Sequence, residues 1–206
     1  TNILGVSGTG TLKNFDTGAT LTGITAAFSS SGSPTIYGTN GAPTNSGTDA
    51  YDTFNGKANL TGSVNYGNSS GWYIDLTISG LDPAKTYTFV TTANRDDSSY
   101  TTRISRYTIS DVSGATNAST SGVTVISNES VSFVTGYNRV NGYVARWTGI
   151  QPGSDGDFKV RADYPSNYQG YGMSVFMLAE EGSIPTTPTI TTSGTLSAFN
   201  TTPGTA

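Results

Sequence analysis

Apolar and polar positions alternate along most of this chain, and a helical period of 3.6 is nowhere sustained. The clearest case is residues 72–79, WYIDLTIS. Trp72, Ile74, Leu76 and Ile78 share one parity while Tyr73, Asp75 and Thr77 share the other, which predicts a half-buried strand with Trp72 in the core. A turn follows at Gly80-Leu81-Asp82-Pro83-Ala84-Lys85, and residues 86–94 then set Tyr87, Phe89, Thr91 and Ala93 on one face of the next strand. The pattern predicts further strands at 104–110, 123–126, 131–135, 143–150, 158–162 and 173–179, with two or three shorter ones before residue 72. Segments recurring about every 8–12 residues, punctuated by Gly, Pro, Asn and Asp, predict a β-sandwich or barrel. No internal repeat is present, which argues against a solenoid or propeller. Residues 37–56 and 164–172 lack strand pattern and are predicted to be loops.

Composition narrows the choice. Charged residues make up 12% of 206, about half the usual share of roughly 25%. Leu, Ile, Val and Phe number 39, so the core must draw on aromatics and small residues; 12 tyrosines supply much of it. Straight-chain helix formers are scarce, while Thr and Tyr suit a pleated surface. The absence of His and Cys excludes imidazole bases, His-based triads, thiolate nucleophiles, thiolate zinc sites and disulfides. Ten basic residues and a net charge of −4 leave no basic stripe for nucleic acid. No apolar run approaches the roughly 18 residues that a membrane helix needs.

Residues 1–182 are therefore expected to form one all-β module. Residues 183–206 begin Ser-Ile-Pro-Thr-Thr-Pro-Thr, a proline- and hydroxyl-rich pattern expected of an extended linker, and continue as ITTSGTLSAFNTTPGTA. That second part alternates like the opening strand of a following domain, and equally like a tail.

Three segments carry a resemblance. The phrase ISGLDPAKTYTF at 78–89 resembles a hairpin of secreted bacterial β-sandwich modules. WTGIQPGSDGDFKV at 147–160 resembles their late strand pair, and YGMSVFMLAE at 171–180 their closing strand. Together these resemble the galactose-binding-domain-like jelly-roll family, over about half of the chain. The resemblance implies a jelly-roll fold, secretion from a bacterium, and a non-catalytic carbohydrate-binding module joined to polysaccharide-active or other neighbouring domains. Charge and hydropathy point to neither nucleic acid nor membrane as partner, and nothing suggests an obligate interface, so a monomer is expected. The rival reading is a structural or adhesive extracellular domain acting as a spacer or protein-binding unit.

Sugar recognition needs flat aromatic faces beside planar polar groups, and three loops offer both. Arg95, Asp97 and Tyr100 lie in NRDDSSY at 94–100; the plain alternative there is a solvated turn with Arg95 paired to Asp96 or Asp97. Tyr137 lies in YNRVN, where Asn138 and Asn141 also suit an ordinary hairpin. Tyr164, Asn167 and Tyr168 lie in YPSNYQGY, where Tyr171 is expected to be core-like. Trp72 and Trp147 are assigned to the core. A structural calcium is a further implication of the resemblance, and Asp155-Gly156-Asp157 invites it. An Asp-Gly hairpin explains the same residues, and Asp16, Asp49 or Asp52 are alternative ligands, so the metal site stays open. Glycoside hydrolysis would need two carboxylates about 5–9.5 Å apart. Of the three glutamates, Glu129 falls in a predicted hairpin and Glu180 and Glu181 at the end of the last strand, so no enzyme is expected.

Overall fold

A computed structural model describes residues 6–37, 41–42, 45–58 and 64–183. Apart from Ser183, the expected linker and following strand lie outside the described residues. The chain folds as antiparallel sheets packed into an all-β sandwich. Its elements are β1 (Gly8–Lys13), β2 (Thr20–Ser31), β3 (Thr35–Tyr37), α1 (Asp49–Phe54), β4 (Val64–Gly67), β5 (Tyr73–Ser79), β6 (Lys85–Thr92) and β7 (Ile104–Ser110), then β8 (Val112–Asn117), β9 (Thr124–Ser127), β10 (Ser130–Val134), β11 (Ala145–Pro152), β12 (Phe158–Asp163), β13 (Gly170–Tyr171) and β14 (Val175–Ser183).

Seven strands form the larger sheet in the order β1-β2-β5-β12-β7-β10-β9, and four form its partner in the order β14-β6-β11-β8. The parity read from the sequence sets which side chains meet between them. Leu76 and Ile78 of β5, Phe158 and Val160 of β12, Tyr107 and Ile109 of β7 and Val131 and Phe133 of β10 face Tyr87 and Phe89 of β6 and Ala145, Trp147 and Ile150 of β11. Phe89 meets Phe158 edge-on at 5.8 Å across the two layers. Both tryptophans are buried; parity predicts this for Trp72, whereas Trp147 shares parity with Tyr143 and Ala145, which left its face open.

Several elements depart from the sequence pattern: among the described residues, four strands precede residue 72 where two or three shorter ones were expected, β2 among them being 12 residues long, and β13 falls within residues 164–172, expected to be loop. β8 was not anticipated, because Val112-Ser-Gly-Ala-Thr-Asn117 has too few apolar residues to show alternation. Helix α1 lies within the stretch expected to be loop. Six residues are too few to reveal a helical period, and only Ala50 and Phe54, one turn apart, point inward. They cover Val90 and Val144 on the outer face of the four-stranded sheet. Arg146 anchors the helix from β11, donating to Asp49 at 2.6 and 3.1 Å and to Thr53 at 3.0 Å.

A third sheet, β13-β4-β3, builds a small cluster of Val64, Tyr66 and Tyr171 against Ala93, just past the end of β6. β6, β10 and β12 finish at this end of the sandwich, and β5 and β7 begin there. Its loops carry the candidate site. The Asp155-Gly156-Asp157 hairpin lies at the opposite end. There Asp157 accepts from the Ser79 hydroxyl at 3.0 Å and the Gly80 amide at 3.4 Å, and Asp155 accepts from the Asp157 amide at 3.2 Å.

Candidate functional site

Tyr164 and Tyr168 come together as the sequence suggests, and the structure adds Trp72 beneath them. The Tyr164 ring lies 6.0 Å from Trp72 and 5.0 Å from Tyr168, the latter pair edge-on. The Trp72 indole N–H donates to the Tyr168 carbonyl at 2.8 Å, and the Tyr164 hydroxyl accepts from the Gly71 amide at 2.8 Å. Trp72 is thus a core residue that also pins this loop. Asn167 and Tyr168 both adopt left-handed backbone, with φ of 50° and 59°. Asn tolerates that region, whereas a bulky ring does so at a cost. The strained backbone leaves Tyr168 49% exposed.

Amides fix the loop from the side. Asn167 donates to the Thr102 carbonyl at 3.0 Å and accepts from the Gln169 amide at 3.3 Å, so it ties its own loop to the one after β6. Gln169 donates to the Asn68 side chain at 3.1 Å. Asn68 in turn lines an open cleft of about 370 Å³ with Ser33, Thr35, Tyr66 and Ser69. That volume is at the low end for small-molecule sites, which run from about 300 to 1,000 Å³. Its lining is one ring, one amide and three hydroxyls.

The second group centres on Arg103. Its guanidinium stacks over the Tyr100 ring at 3.3 Å, lies 4.9 Å from the Tyr66 ring, and donates to the Tyr171 hydroxyl. Tyr66 and Tyr171 are themselves paired at 5.1 Å. Burial raises the pKa of the Tyr171 hydroxyl, and the positive charges of Arg103 and Arg95 oppose that shift. Thr102, the acceptor for Asn167, precedes Arg103, so the two tyrosine groups abut.

The remaining residues named from sequence sort as follows. Arg95 is half-buried and forms no ion pair with Asp96 or Asp97, because Asp96 pairs with Arg139 at 3.2 Å. Asp97 caps its own turn, accepting from the Ser99 amide at 2.9 Å. Tyr137 is half-buried in the loop after β10 and forms no ring pair among the described residues. Its neighbour Asn138 is buried and wholly structural, donating to Thr92, Ala93 and Tyr143 and accepting from the Tyr143 amide.

Sequence reasoning missed Arg103, Tyr66, Asn68 and the second role of Trp72. Arg103 lies in the same unpatterned stretch as Tyr100, and reading that loop through to the start of β7 would have included it. Nothing local marks Tyr66 or Asn68, which reach the site only through the pairing of β4 with β13.

For calcium, the named carboxylates do not form a ligand set. Asp49 is held by Arg146, Asp157 by Ser79 and Gly80, and among the described residues no three or more His, Cys, Asp or Glu converge. No family model, curated protein or solved structure matches the chain.

Proposed function

We propose that this chain is a non-catalytic carbohydrate-binding module whose site is the loop end of the sandwich. The observation that carries this reading is Tyr168, a half-exposed ring held on strained backbone over Tyr164 and Trp72, with amides and Arg103 beside it. A tyrosine kept exposed at an energetic cost is poorly explained by packing alone, since strain of this kind concentrates at functional sites. Its face would take the C–H side of a pyranose ring, and Asn68, Gln169 and the cleft hydroxyls would meet the hydroxyl edge. The resemblance to galactose-binding-like jelly rolls points the same way. In that setting the module would be secreted and would hold an attached polysaccharide-active domain near its polymer, raising the effective concentration of substrate.

Affinity electrophoresis against plant, algal and microbial polysaccharides, with and without EDTA, tests the proposal. Retardation by at least one glycan, reduced in Tyr168→Ala, is the expected result, and its EDTA sensitivity reports on calcium. A folded protein that no glycan retards would overturn the proposal and favour the structural or adhesive reading.

A further inference from the structure

We infer that the saccharide taken by this loop end is anionic, bearing a carboxylate or sulfate group that docks on Arg95 and Arg103. The inference rests on the carbohydrate-binding reading above and specifies its substrate class.

Charge pairing across the fold is the starting point. Six of the ten basic residues are arginines. Arg106 pairs with Asp163, Arg139 with Asp96, Arg146 with Asp49 and Arg161 with Asp75. Arg95 and Arg103 pair with no carboxylate, although all 14 Asp and Glu fall among the described residues. In a chain of net charge −4, the two guanidiniums without acidic partners are both half-buried and share one loop.

Their proximity follows from the backbone. The Arg95 amide donates to the Thr135 carbonyl at 2.9 Å, and the Thr135 amide donates to the Arg103 carbonyl at 2.9 Å, so the loop folds back to set both residues against Thr135. The Arg103 guanidinium donates to the Tyr171 hydroxyl from this position. The loop's own carboxylates face elsewhere, Asp96 toward Arg139 and Asp97 onto the Ser99 amide.

Guanidiniums drawn partly out of water lose hydration, and an opposite charge compensates that loss. Arg103 is also pre-oriented. Tyr100 stacks on its plane and Tyr171 takes one N–H, which leaves the rest of the fork for a planar or tetrahedral anion. A neutral sugar would offer hydroxyls to this pair but no countercharge.

The test is affinity electrophoresis in EDTA with two matched probe pairs: polygalacturonate against its carboxyl-reduced form, and carrageenan against its desulfated form. One acidic polymer is expected to bind, with its neutral counterpart about ten- to a hundredfold weaker and the binding weakened by salt. Which pair responds distinguishes carboxylate from sulfate. Arg95→Gln should lose about tenfold or more for the acidic polymer with an unchanged melting temperature, since no described side-chain hydrogen bond depends on it. Arg103→Lys, which keeps charge but loses the fork, should bind between wild type and Arg103→Gln. Equal affinity for charged and neutral forms, or full binding by both Gln variants, overturns the inference while leaving the module reading intact. Failure to bind any charged or neutral glycan, in EDTA and with calcium added, removes both.

Discussion

Replacing Tyr168 by glycine tests the ring as a binding platform, because backbone strain, packing and ligand cover can each be given a magnitude. In the fold, Tyr168 holds φ of 59°, a conformation costing a non-glycine residue about 1–2 kcal/mol that glycine adopts freely. Against that relief stand the packed half of the ring, about 75–125 Å² and so about 2–3 kcal/mol, its edge-on contact with Tyr164, about 0.5–1.5 kcal/mol, and the greater freedom of glycine in the unfolded chain, about 0.5–1 kcal/mol. The balance is a destabilisation of about 3 kcal/mol, a fall of about 6–12 °C for a domain of this size. Affinity should respond as well. An aromatic side chain buries about 150–250 Å² when enclosed. Tyr168 is 49% exposed, so a ligand covering the rest would remove about 75–125 Å² from water. At about 25 cal/mol per Å² that is at most about 2–3 kcal/mol, or a loss of about 30- to 150-fold. Thermal unfolding and affinity gels on the same preparation measure both quantities. An unchanged affinity of the folded variant would refute the platform assignment, whatever the fall in melting temperature.

Three further outcomes follow from the geometry. Gly67→Ala should destabilise strongly, since a Cβ there would lie 1.9 Å from the buried Trp72 ring, and overpacking typically costs about 1–3 kcal/mol; chemical denaturation measures it. Asn138→Ala should cost about 2–3 kcal/mol by the same assay, because it strands the Tyr143 amide and takes a donor from the Ala93 carbonyl around a side chain only 2% exposed. Glu181 accepts from the Thr88 hydroxyl and the Gly149 amide, which holds its carboxyl pKa below the usual glutamate value. A depressed folded-state pKa contributes stability above the unfolded value that is lost as pH falls through the folded one. The melting temperature of Glu181→Gln should therefore fall below wild type at pH 7 and converge with it under acid; a constant gap across pH would refute the ion's role.

Legibility in the sequence followed burial asymmetry. Where one face of a strand is drier than the other, as in β5 and β12, parity marks the core directly, and Trp72, Leu76 and Ile78 lie where alternation predicts. Where tertiary contacts make an element, parity is silent: α1 exists because Phe54 and Ala50 meet Val90 and Val144, residues 36–94 positions away. The candidate site shows the same division more sharply. Tyr164 and Tyr168 were visible as types in a loop, but their relation to Arg103 is set by the Asn167 bond to Thr102 and by the pairing of β13 with β4. Left-handed backbone at Tyr168 is likewise set by the loop's anchors and contradicts local preference. Local rules and structure part company where the rings are most exposed, as expected when a fold constrains a loop for something other than its own packing. The unpaired arginines follow similar logic: composition gives ten cations and 14 anions, but only the folded pairing shows which two guanidiniums are left without a carboxylate.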